Sequence, residues 1–360
     1  MISTKIVKID PVNPEEKYLK EAAAILENGG LVIMPTETVY GIGANMLNKQ
    51  TQDRLYDIKK RPKDKPFSLH IDEKENIEDF AQDIPVFAYK LIDKFWPGPL
   101  TIILKAKDRL KFWSQDTVGL RMPDNEIALR LISHAQIPIV CPSANISGKP
   151  APVDFNQALL DLKGLVDFAI DAGKTKLGVE SSVVDLTFKP FRILREAAIK
   201  KENIEEIARK KTVLFVCMGN SCRSVMAKAL LEKRLKEQGR FEGIEILSSG
   251  IMMLSGIGAS DETRELLRRE GIDVSAHRSQ RVTKGVIKKS DIILVMERAH
   301  EDKVLELAPE AKNRLFLLKE FAKIGDNNLD IADPIGRPIQ FYEETFKVIK
   351  EAVGRIVEII

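Results

Sequence analysis

Short apolar runs alternate with amphipathic segments along residues 211–360. Runs of four to six apolar residues between turn residues are typical of buried strands, and apolar residues at helical spacing indicate helices. The pattern predicts strand and helix in strict alternation. The predicted elements are 212–216, 224–238, 244–248, 261–270, 291–296, 300–307, 314–317 and 341–359. Such alternation favours an α/β fold with a doubly wound, four-stranded parallel sheet and an active site at the carboxyl ends of its strands.

Residues 1–210 also mix strands with helices, in a less regular order. A helix is predicted over 15–28, closed by Gly29 and Gly30, and a buried strand over 31–34, stopped by Pro35. A charged helical segment over 199–211 precedes the regular half, so we place the domain boundary near Lys210, with domains 1–210 and 211–360. The further predicted strands are 100–105, 117–121, 137–141, 168–171 and 182–185.

Composition agrees with a two-domain soluble protein. The chain has 360 residues, which is more than a single hydrophobic core usually serves. Its hydrophobic content is 44%. A net charge of +3 is too small to indicate nucleic-acid binding by bulk attraction. Three cysteines suit a reducing compartment. The amino terminus lacks the apolar core of a signal peptide, and no run of about 18 apolar residues occurs. We expect a cytoplasmic protein with no membrane partner.

Cys217 directly follows the first apolar run of the second half, and five residues separate it from Arg223. The helix predicted from Ser224 would direct its positive end at a bound phosphate. Such a helix end and a nearby cation lower the pKa of a thiol, and arginine binds two phosphate oxygens at once. Gly219 and Asn220 tolerate left-handed backbone angles. This combination predicts a cysteine-dependent phosphatase.

A phosphatase also needs an acid for the leaving group, and Asp333, before Pro334, is the best candidate. The whole arrangement resembles the low-molecular-weight protein phosphatase family, over about residues 211–360. The resemblance implies Cys217 as nucleophile, Arg223 as phosphate clamp, Ser224 as stabiliser of the thiolate and Asp333 as general acid, with phosphorylated proteins as substrates and no cofactor. The implied phosphate loop contains Met218, Gly219, Asn220, Ser221 and Cys222.

Two details of this half concern its substrate and its second thiol. Tyrosine-directed relatives usually carry a bulky aliphatic residue at the position of Ser221, whereas arginine phosphatases carry a small hydroxyl residue, which favours protein phosphoarginine over phosphotyrosine. Arsenate reduction on the same fold needs further cysteines, and none follows Cys222. Because Cys217 and Cys222 lie in one loop, a reversible disulfide that protects the nucleophile is a further hypothesis.

Four clusters of polar and turn residues lie at the ends of apolar runs in the first half: 35–43, 59–62, 117–123 and 142–148. Their positions predict a polar rim above a sheet. Lys59 and Arg61 suit a nucleotide triphosphate, and Arg121 suits a small carboxylate. The residue types alone do not identify the substrate.

These clusters, with segments 95–101 and 178–182, resemble the YrdC-type threonylcarbamoyl-AMP synthases over about residues 10–205. The resemblance implies a twisted mixed sheet with helices, and the substrates L-threonine, bicarbonate and ATP with Mg²⁺, without a resident metal. The product would reach tRNA only through a downstream transferase. The implied threonine contacts are Thr36, Thr38, His70, Arg121 and Ser181. The implied ATP contacts are Lys59, Arg61, Thr117, Ser143, Asn145 and Arg195.

Two positions depart from the family pattern: Lys65 stands where asparagine is common, and Val153 where a hydroxyl residue is usual. A rival interpretation makes the first half a nucleotide- or RNA-binding module without catalysis. Retention of both the Lys59/Arg61 pair and the Ser143/Asn145 pair favours the enzyme. A carbamoyl-transfer role, as in hydrogenase maturation proteins, is disfavoured because the acylphosphatase and zinc-finger partners are absent.

Overall fold

The computed structural model describes residues 3–110, 116–252, 256–325 and 328–360. It divides into two compact units, Met1–Glu205 and Glu206–Ile360. The division falls inside the helix Lys201–Arg209, so the boundary near Lys210 stays a prediction. Among the described residues, no helix has the length and apolar character needed to cross a membrane.

The first unit is built on one mixed sheet, which has eleven strands within the described residues. The mixed sheet implied by the resemblance is thereby confirmed. The strands are β1 (Lys5–Lys8), β2 (Val32–Met34), β3 (Gly41–Asn45), β4 (Leu69–His70), β5 (Ala81–Gln82), β6 (Leu100–Ala106), β7 (Thr117–Arg121), β8 (Ile139–Val140), β9 (Phe168–Asp171), β10 (Ser182–Asp185) and β11 (Arg192–Arg195). They lie in the order β1-β9-β2-β3-β8-β4-β7-β6-β10-β11, and β5 pairs with β6.

Helices cover this sheet with apolar faces. In α1 the buried residues Leu19, Ala22, Ala23 and Leu26 recur at helical spacing, and they pack in one core with Leu131 of α5. The helices of this unit are α1 (Glu16–Glu27), α2 (Lys49–Lys59), α3 (Ile77–Phe80), α4 (Val86–Phe95), α5 (Glu126–Ala135) and α6 (Phe155–Leu160), with short 3₁₀ helices at Lys74–Asn76 and Asp108–Leu110. The helix that contains the division is α7 (Lys201–Arg209).

Strand β3 lies where the sequence suggests only turn residues. All five of its residues are buried, and it pairs antiparallel with β2. A Cβ atom on Gly41 would lie 2.3 Å from the Cys141 sulfur. The glycine therefore permits a close approach of the strand to Cys141, and the glycine content that suggests a turn reflects tight packing.

The second unit contains a four-stranded parallel sheet with the order β13-β12-β14-β15. The predicted doubly wound parallel sheet is confirmed. Its strands are β12 (Lys211–Cys217), β13 (Ile244–Gly250), β14 (Ile292–Val295) and β15 (Leu315–Leu317). Its helices are α8 (Arg223–Glu237), α9 (Asp261–Arg269), α10 (Lys284–Lys289), α11 (Arg298–Leu307), α12 (Leu318–Phe321) and α13 (Ile339–Ile356), with a 3₁₀ helix at Pro309–Arg314.

Alternate residues of β12 enter different cores. Val213 and Phe215 pack on one face of the sheet with α8 and α13, whereas Leu214 and Val216 pack on the other face with α10 and α11. A strand buried on both faces reads as a continuous apolar run, which is why its position is evident from sequence. The strand ends at Cys217, in the interior of the sheet.

Candidate active sites

A cavity of about 650 Å³ opens in the first unit. Seven of the predicted site residues line it: Thr36, Arg61, His70, Arg121, Ser143, Ser181 and Arg195. Four do not: Thr38, Lys59, Thr117 and Asn145. The structure thus brings most of the predicted contacts for threonine and ATP to one cavity, although their assigned roles stay predictions.

Parallel strands β4 and β7 end beside each other at this cavity. Their register pairs His70 with Arg121, so the two side chains come from adjacent strand ends. His70 is 4% exposed, and neither ring nitrogen has a hydrogen-bond partner among the described residues. Burial lowers the pKa of His70 to about 3, and the charge of Arg121 acts in the same direction. His70 is therefore neutral near pH 7.

Arg121 is held from the side of the turn after β2. Its Nη2 atom donates to Glu37 Oε1 at 2.7 Å and to Thr38 Oγ1 at 2.8 Å. The Thr36 hydroxyl in turn lies 2.8 Å from Thr38 Oγ1 and donates to the Val39 carbonyl at 2.6 Å. Thr38 thus contacts Arg121 directly and does not line the cavity itself.

Lys59 binds the chain that carries Ser143 and Asn145. Its Nζ atom donates to the carbonyl of Ser143 and, at 2.7 Å, to that of Asn145. The Ser143 hydroxyl donates to Asn145 Oδ1 at 2.6 Å. Burial lowers the pKa of Lys59 to about 8, and the positive charge of Arg61 adds to this effect. Lys59 thus fixes the backbone of the segment from which Ser143 lines the cavity.

Arg61 binds the segment that contains Lys65, the residue that stands where asparagine is common in the family. Its Nε donates to the Lys65 carbonyl at 2.9 Å, and Nη2 to the Pro66 carbonyl at 3.1 Å. The guanidinium lies 5.1 Å from the centre of the Phe67 ring. Lys65 itself lines the cavity, so its ammonium group adds a cation where asparagine would be neutral.

Arg195 and Ser181, which also line the cavity, form one hydrogen-bonded group. Arg195 donates to the Ser181 carbonyl at 2.8 Å and pairs with Glu180 at 2.6 Å. The Ser181 hydroxyl lies 2.9 Å from that of Thr101. Thr117 begins β7 and remains outside the cavity lining, away from this group.

In the second unit, Cys217 lies at the base of the predicted phosphate loop. Its sulfur is 3.0 Å from the Ser224 hydroxyl, which also accepts from Asn220 Nδ2 at 2.9 Å. Burial raises the pKa of the Cys217 thiol, against the opposing effects of Arg223 and Ser224. The direction is opposite to the expected lowering, because burial of the thiol, which is 2% exposed, outweighs the effect of Arg223, whose charge is paired with carboxylates.

The loop owes its shape to one left-handed residue and one neighbouring glycine. Asn220 has φ +52°, one of the left-handed angles that this residue type tolerates, whereas Gly219 does not lie in the left-handed region. Asn220 Oδ1 accepts from the Gln280 amide at 2.9 Å, and its carbonyl lies 2.7 Å from His277 Nε2. A Cβ atom on Gly250 would lie 2.8 to 2.9 Å from the Met218 carbonyl oxygen and other backbone atoms of the loop.

Arg223 is the best-anchored side chain of this site. It is 1% exposed, donates to the Ile331 carbonyl at 2.7 Å, and pairs with Asp333 and, at 3.0 Å, with Glu297. The structure therefore brings Cys217, Ser224, Arg223 and Asp333 together at the carboxyl end of β12. Behind Glu297 lies the fully buried His300, whose pKa burial lowers to about 4, with Arg223 acting in the same direction.

Ser221 and Cys222 complete the loop. Ser221 lines a second cavity of about 640 Å³, together with the aliphatic residues Ile257 and Ile335. Cys222 is a free, buried thiol whose sulfur lies 3.5 Å from the Ser260 hydroxyl. Cys217 is also a free thiol, and the disulfide between the two stays a hypothesis.

Comparison with known proteins accounts for both units. The model of the Sua5, YciO and YrdC proteins, described as "Telomere recombination", matches residues 24–197, and that described as "Low molecular weight phosphotyrosine protein phosphatase" matches 212–360. A putative threonylcarbamoyl-AMP synthase of Methanocaldococcus jannaschii is 37% identical over 58% of this chain and 99% of its own length. A protein-arginine-phosphatase of Geobacillus stearothermophilus is 38% identical over 41% and 93%. The chain belongs to both families.

Longer relatives of the Sua5/YrdC unit match only in part. The threonylcarbamoyl-AMP synthase of Pyrococcus abyssi is 44% identical over 60% of this chain and 64% of its own length. The chain spans 58% of the Bacillus subtilis enzyme. A crystal structure of P. abyssi Sua5 complexed with L-threonine is 28% identical, covers 87% of this chain and 99% of its own, and has a TM-score of 0.55.

The sequence interpretation overlooked carboxylates in both units. Glu37 and Glu180 pair with arginines of the Sua5/YrdC unit, and Glu297 pairs with Arg223 of the phosphatase unit. Glu37 and Glu180 lie inside segments already singled out, 35–43 and 178–182, which was the available signal. Glu297 follows the strand β14 directly, at the sheet edge where active-site residues are expected.

Proposed function

We propose that the Sua5/YrdC unit synthesises threonylcarbamoyl-AMP from L-threonine, bicarbonate and ATP, with Mg²⁺ bound to the ATP as part of the substrate. The observation that carries this proposal is the cavity in which Arg121 and His70 lie at adjacent strand ends and which Arg61 and Arg195 also line. One cation suits a small carboxylate, and the others suit a polyphosphate. The relatives named synthases support the assignment.

The proposed chemistry needs no nucleophilic side chain. The threonine amine combines with bicarbonate to give a carbamate and water, and a carbamate oxygen then displaces pyrophosphate from the α-phosphorus of ATP. The residues of this chain bind and orient: Arg121 the threonine carboxylate, Arg61 and Arg195 the phosphates, and Ser143 the adenylate. Positioning and neutralisation of phosphate charge then supply most of the catalysis. The reaction would take place in the cytoplasm, and tRNA would receive the product through a separate transferase.

Pyrophosphate release tests this proposal. We expect release that requires ATP, threonine and bicarbonate together, with threonylcarbamoyl-AMP detected by mass spectrometry. ATP binding without threonine-dependent release would instead support the binding-module alternative. In Arg121→Ala, threonine should stimulate pyrophosphate release much less than in the wild type. The variant loses a hydrogen bond to the threonine carboxylate, and a hydrogen bond to a charged group contributes about 1.5–3 kcal/mol.

For the phosphatase unit we propose hydrolysis of protein phosphoarginine. Cys217 would attack phosphorus, Arg223 would bind two phosphate oxygens, and Asp333 would protonate the departing guanidinium nitrogen. Water would then release phosphate from the sulfur, with Asp333 now accepting its proton. Ser221 and Ile335 line one cavity beside the loop, where a small hydroxyl and an aliphatic wall suit the methylene chain of arginine.

The substrate is tested by comparing phosphoarginine and phosphotyrosine peptides. The wild type should show the higher kcat/KM for phosphoarginine. Ser221→Ile should shift the ratio of the two kcat/KM values toward phosphotyrosine, because the larger side chain narrows the space beside the phosphorus. Cys217→Ser, which removes the thiol, is the control for background hydrolysis. A wild-type enzyme that strongly prefers phosphotyrosine peptides would refute the arginine assignment while leaving the phosphatase assignment intact.

A further inference from the structure

Glu37 and Arg121 form an ion pair that is largely buried. Their side chains are 2% and 6% exposed, and Glu37 Oε1 lies 2.7 Å from Arg121 Nη2. The Thr38 hydroxyl accepts from the same nitrogen at 2.8 Å. Both protons of Nη2 are therefore used, and the other two nitrogens of the guanidinium make no hydrogen bond within the described residues.

This pair is incompletely satisfied. Glu37 Oε2 and Arg121 Nε are buried without hydrogen-bond partners among the described residues. The free energy lost when two charges are buried is offset only when their remaining donors and acceptors also form hydrogen bonds. An incompletely bonded pair therefore contributes little to stability. Its position at a cavity wall favours a functional reason instead.

The backbone of Glu37 is fixed on both sides. Its carbonyl accepts from the Leu177 amide at 2.8 Å, which ties it to the segment leading to Ser181. The Thr36 hydroxyl accepts from the amides of Thr38 at 3.2 Å and Val39 at 3.3 Å, which closes the turn around Glu37. A carboxylate on so constrained a backbone is able to define the orientation of its partner.

We propose that Glu37 is a positioning residue, which holds the Arg121 guanidinium through Nη2 and leaves Nη1 for the carboxylate of the amino-acid substrate. The proposal rests on the synthase function proposed above. Glu37 does not line the cavity, so it acts through Arg121 and not by contact with substrate. The orientation of Arg121 depends more on this hydrogen bond than on the negative charge of Glu37, because the acceptor atom Oε1 fixes the position of Nη2.

Steady-state kinetics of two variants test this role. Glu37→Ala removes the acceptor and should raise the threonine KM at least tenfold, with the ATP KM within twofold of wild type. Glu37→Gln keeps an acceptor oxygen and should keep the threonine KM within threefold of wild type. A threonine KM that is unchanged in Glu37→Ala, or equal losses for threonine and ATP, would overturn the proposal.

Glu180→Ala is the matched control, because Glu180 also pairs with an arginine at this cavity, Arg195, at 2.6 Å. It should leave the threonine KM near that of wild type. Crystal structures of the wild type and Glu37→Ala without substrates give a readout independent of activity. The Arg121 guanidinium should leave its place in the variant. An unmoved guanidinium contradicts the proposal even if the chain proves to have another activity, whereas a wild type without threonine-dependent pyrophosphate release refutes only the proposed function.

Discussion

The guanidinium of Arg223 donates to the carboxylate of Asp333, a residue 110 positions later in the chain. The proposed phosphate clamp and the proposed general acid are thus each other's partner. A phosphate group that binds above Cys217 must compete with this carboxylate for the guanidinium. The same contact also keeps Asp333 beside the site of reaction.

Asp333→Asn should therefore have two opposite effects. The amide is no acid, so kcat should fall by about 10²- to 10⁴-fold, the usual contribution of general acid catalysis. Inhibition by inorganic phosphate should become stronger, because only Glu297 then remains as a carboxylate partner that competes for Arg223. Asp330→Asn is the control, since Asp330 accepts from the Arg298 amide and does not pair with Arg223. An unchanged phosphate inhibition constant would show that the ion pair does not oppose binding.

Ser224→Ala should raise the pKa of Cys217. The hydroxyl lies 3.0 Å from the sulfur and acts to lower this pKa. A hydrogen bond to a charged group contributes about 1.5–3 kcal/mol, so its loss should move the acidic limb of kcat/KM upward by about one to two pH units. The rate of alkylation of Cys217 by iodoacetamide, measured against pH in a Cys222→Ala background, checks the thiol directly. Identical profiles with and without the hydroxyl would argue against its role.

Gly250→Ala should disturb the phosphate loop from below. The added methyl group would lie 2.8 to 2.9 Å from three backbone atoms of the loop, so the loop must shift. We expect loss of most phosphatase activity, because displacement of positioned groups by even a fraction of an ångström is costly in catalysis. Gly285→Ala is the control, since its Cβ would come no closer than 4.0 Å to a neighbouring atom. Equal activities of the two variants would contradict the close packing.

His70 should contribute to acid sensitivity. Its pKa is about 3 in the folded chain and about 6.5 when unfolded, so the unfolded state binds the extra proton between these values. Stability is therefore lost as pH falls from about 6.5 through 3, by up to about 1.4 kcal/mol per pH unit from this group. His70→Asn should remove this part of the pH dependence. Unfolding by urea at pH 7, 6 and 5 measures it, and a parallel pH dependence in both proteins would refute the shift.

The second unit was almost wholly predictable from its pattern. Its strands are buried on both faces and read as apolar runs, and α8 and α9 begin and end within one residue of the predicted bounds. The short helices α10 and α12 were missed, because six and four residues are too few to show helical periodicity. In the first unit, β3 was missed because its glycines indicate a turn unless the nearby Cys141 is known.

The site residues that lie at the ends of strands could be predicted from the sequence. Cys217, Arg121 and His70 lie at the last residues of strands, and Arg223 follows within the loop. The pairing of charges was not predictable, since Glu37 and Arg121 are 84 positions apart and only the folded chain brings them together. Burial likewise decides the direction of the Cys217 pKa, and local sequence does not report it.

The proposed nucleophile and the proposed acid of the phosphatase unit are supported by different kinds of structure. Cys217 ends an interior strand enclosed by two cores, whereas Asp333 lies in residues 328–338, which contain no helix or strand. Substitutions at exposed residues after the acid, such as Ile335, need not disturb the sheet, whereas changes at the buried residues around the thiol would. The choice of leaving group is thus free to diverge, and the phosphate-cleaving half of the reaction stays fixed by the fold.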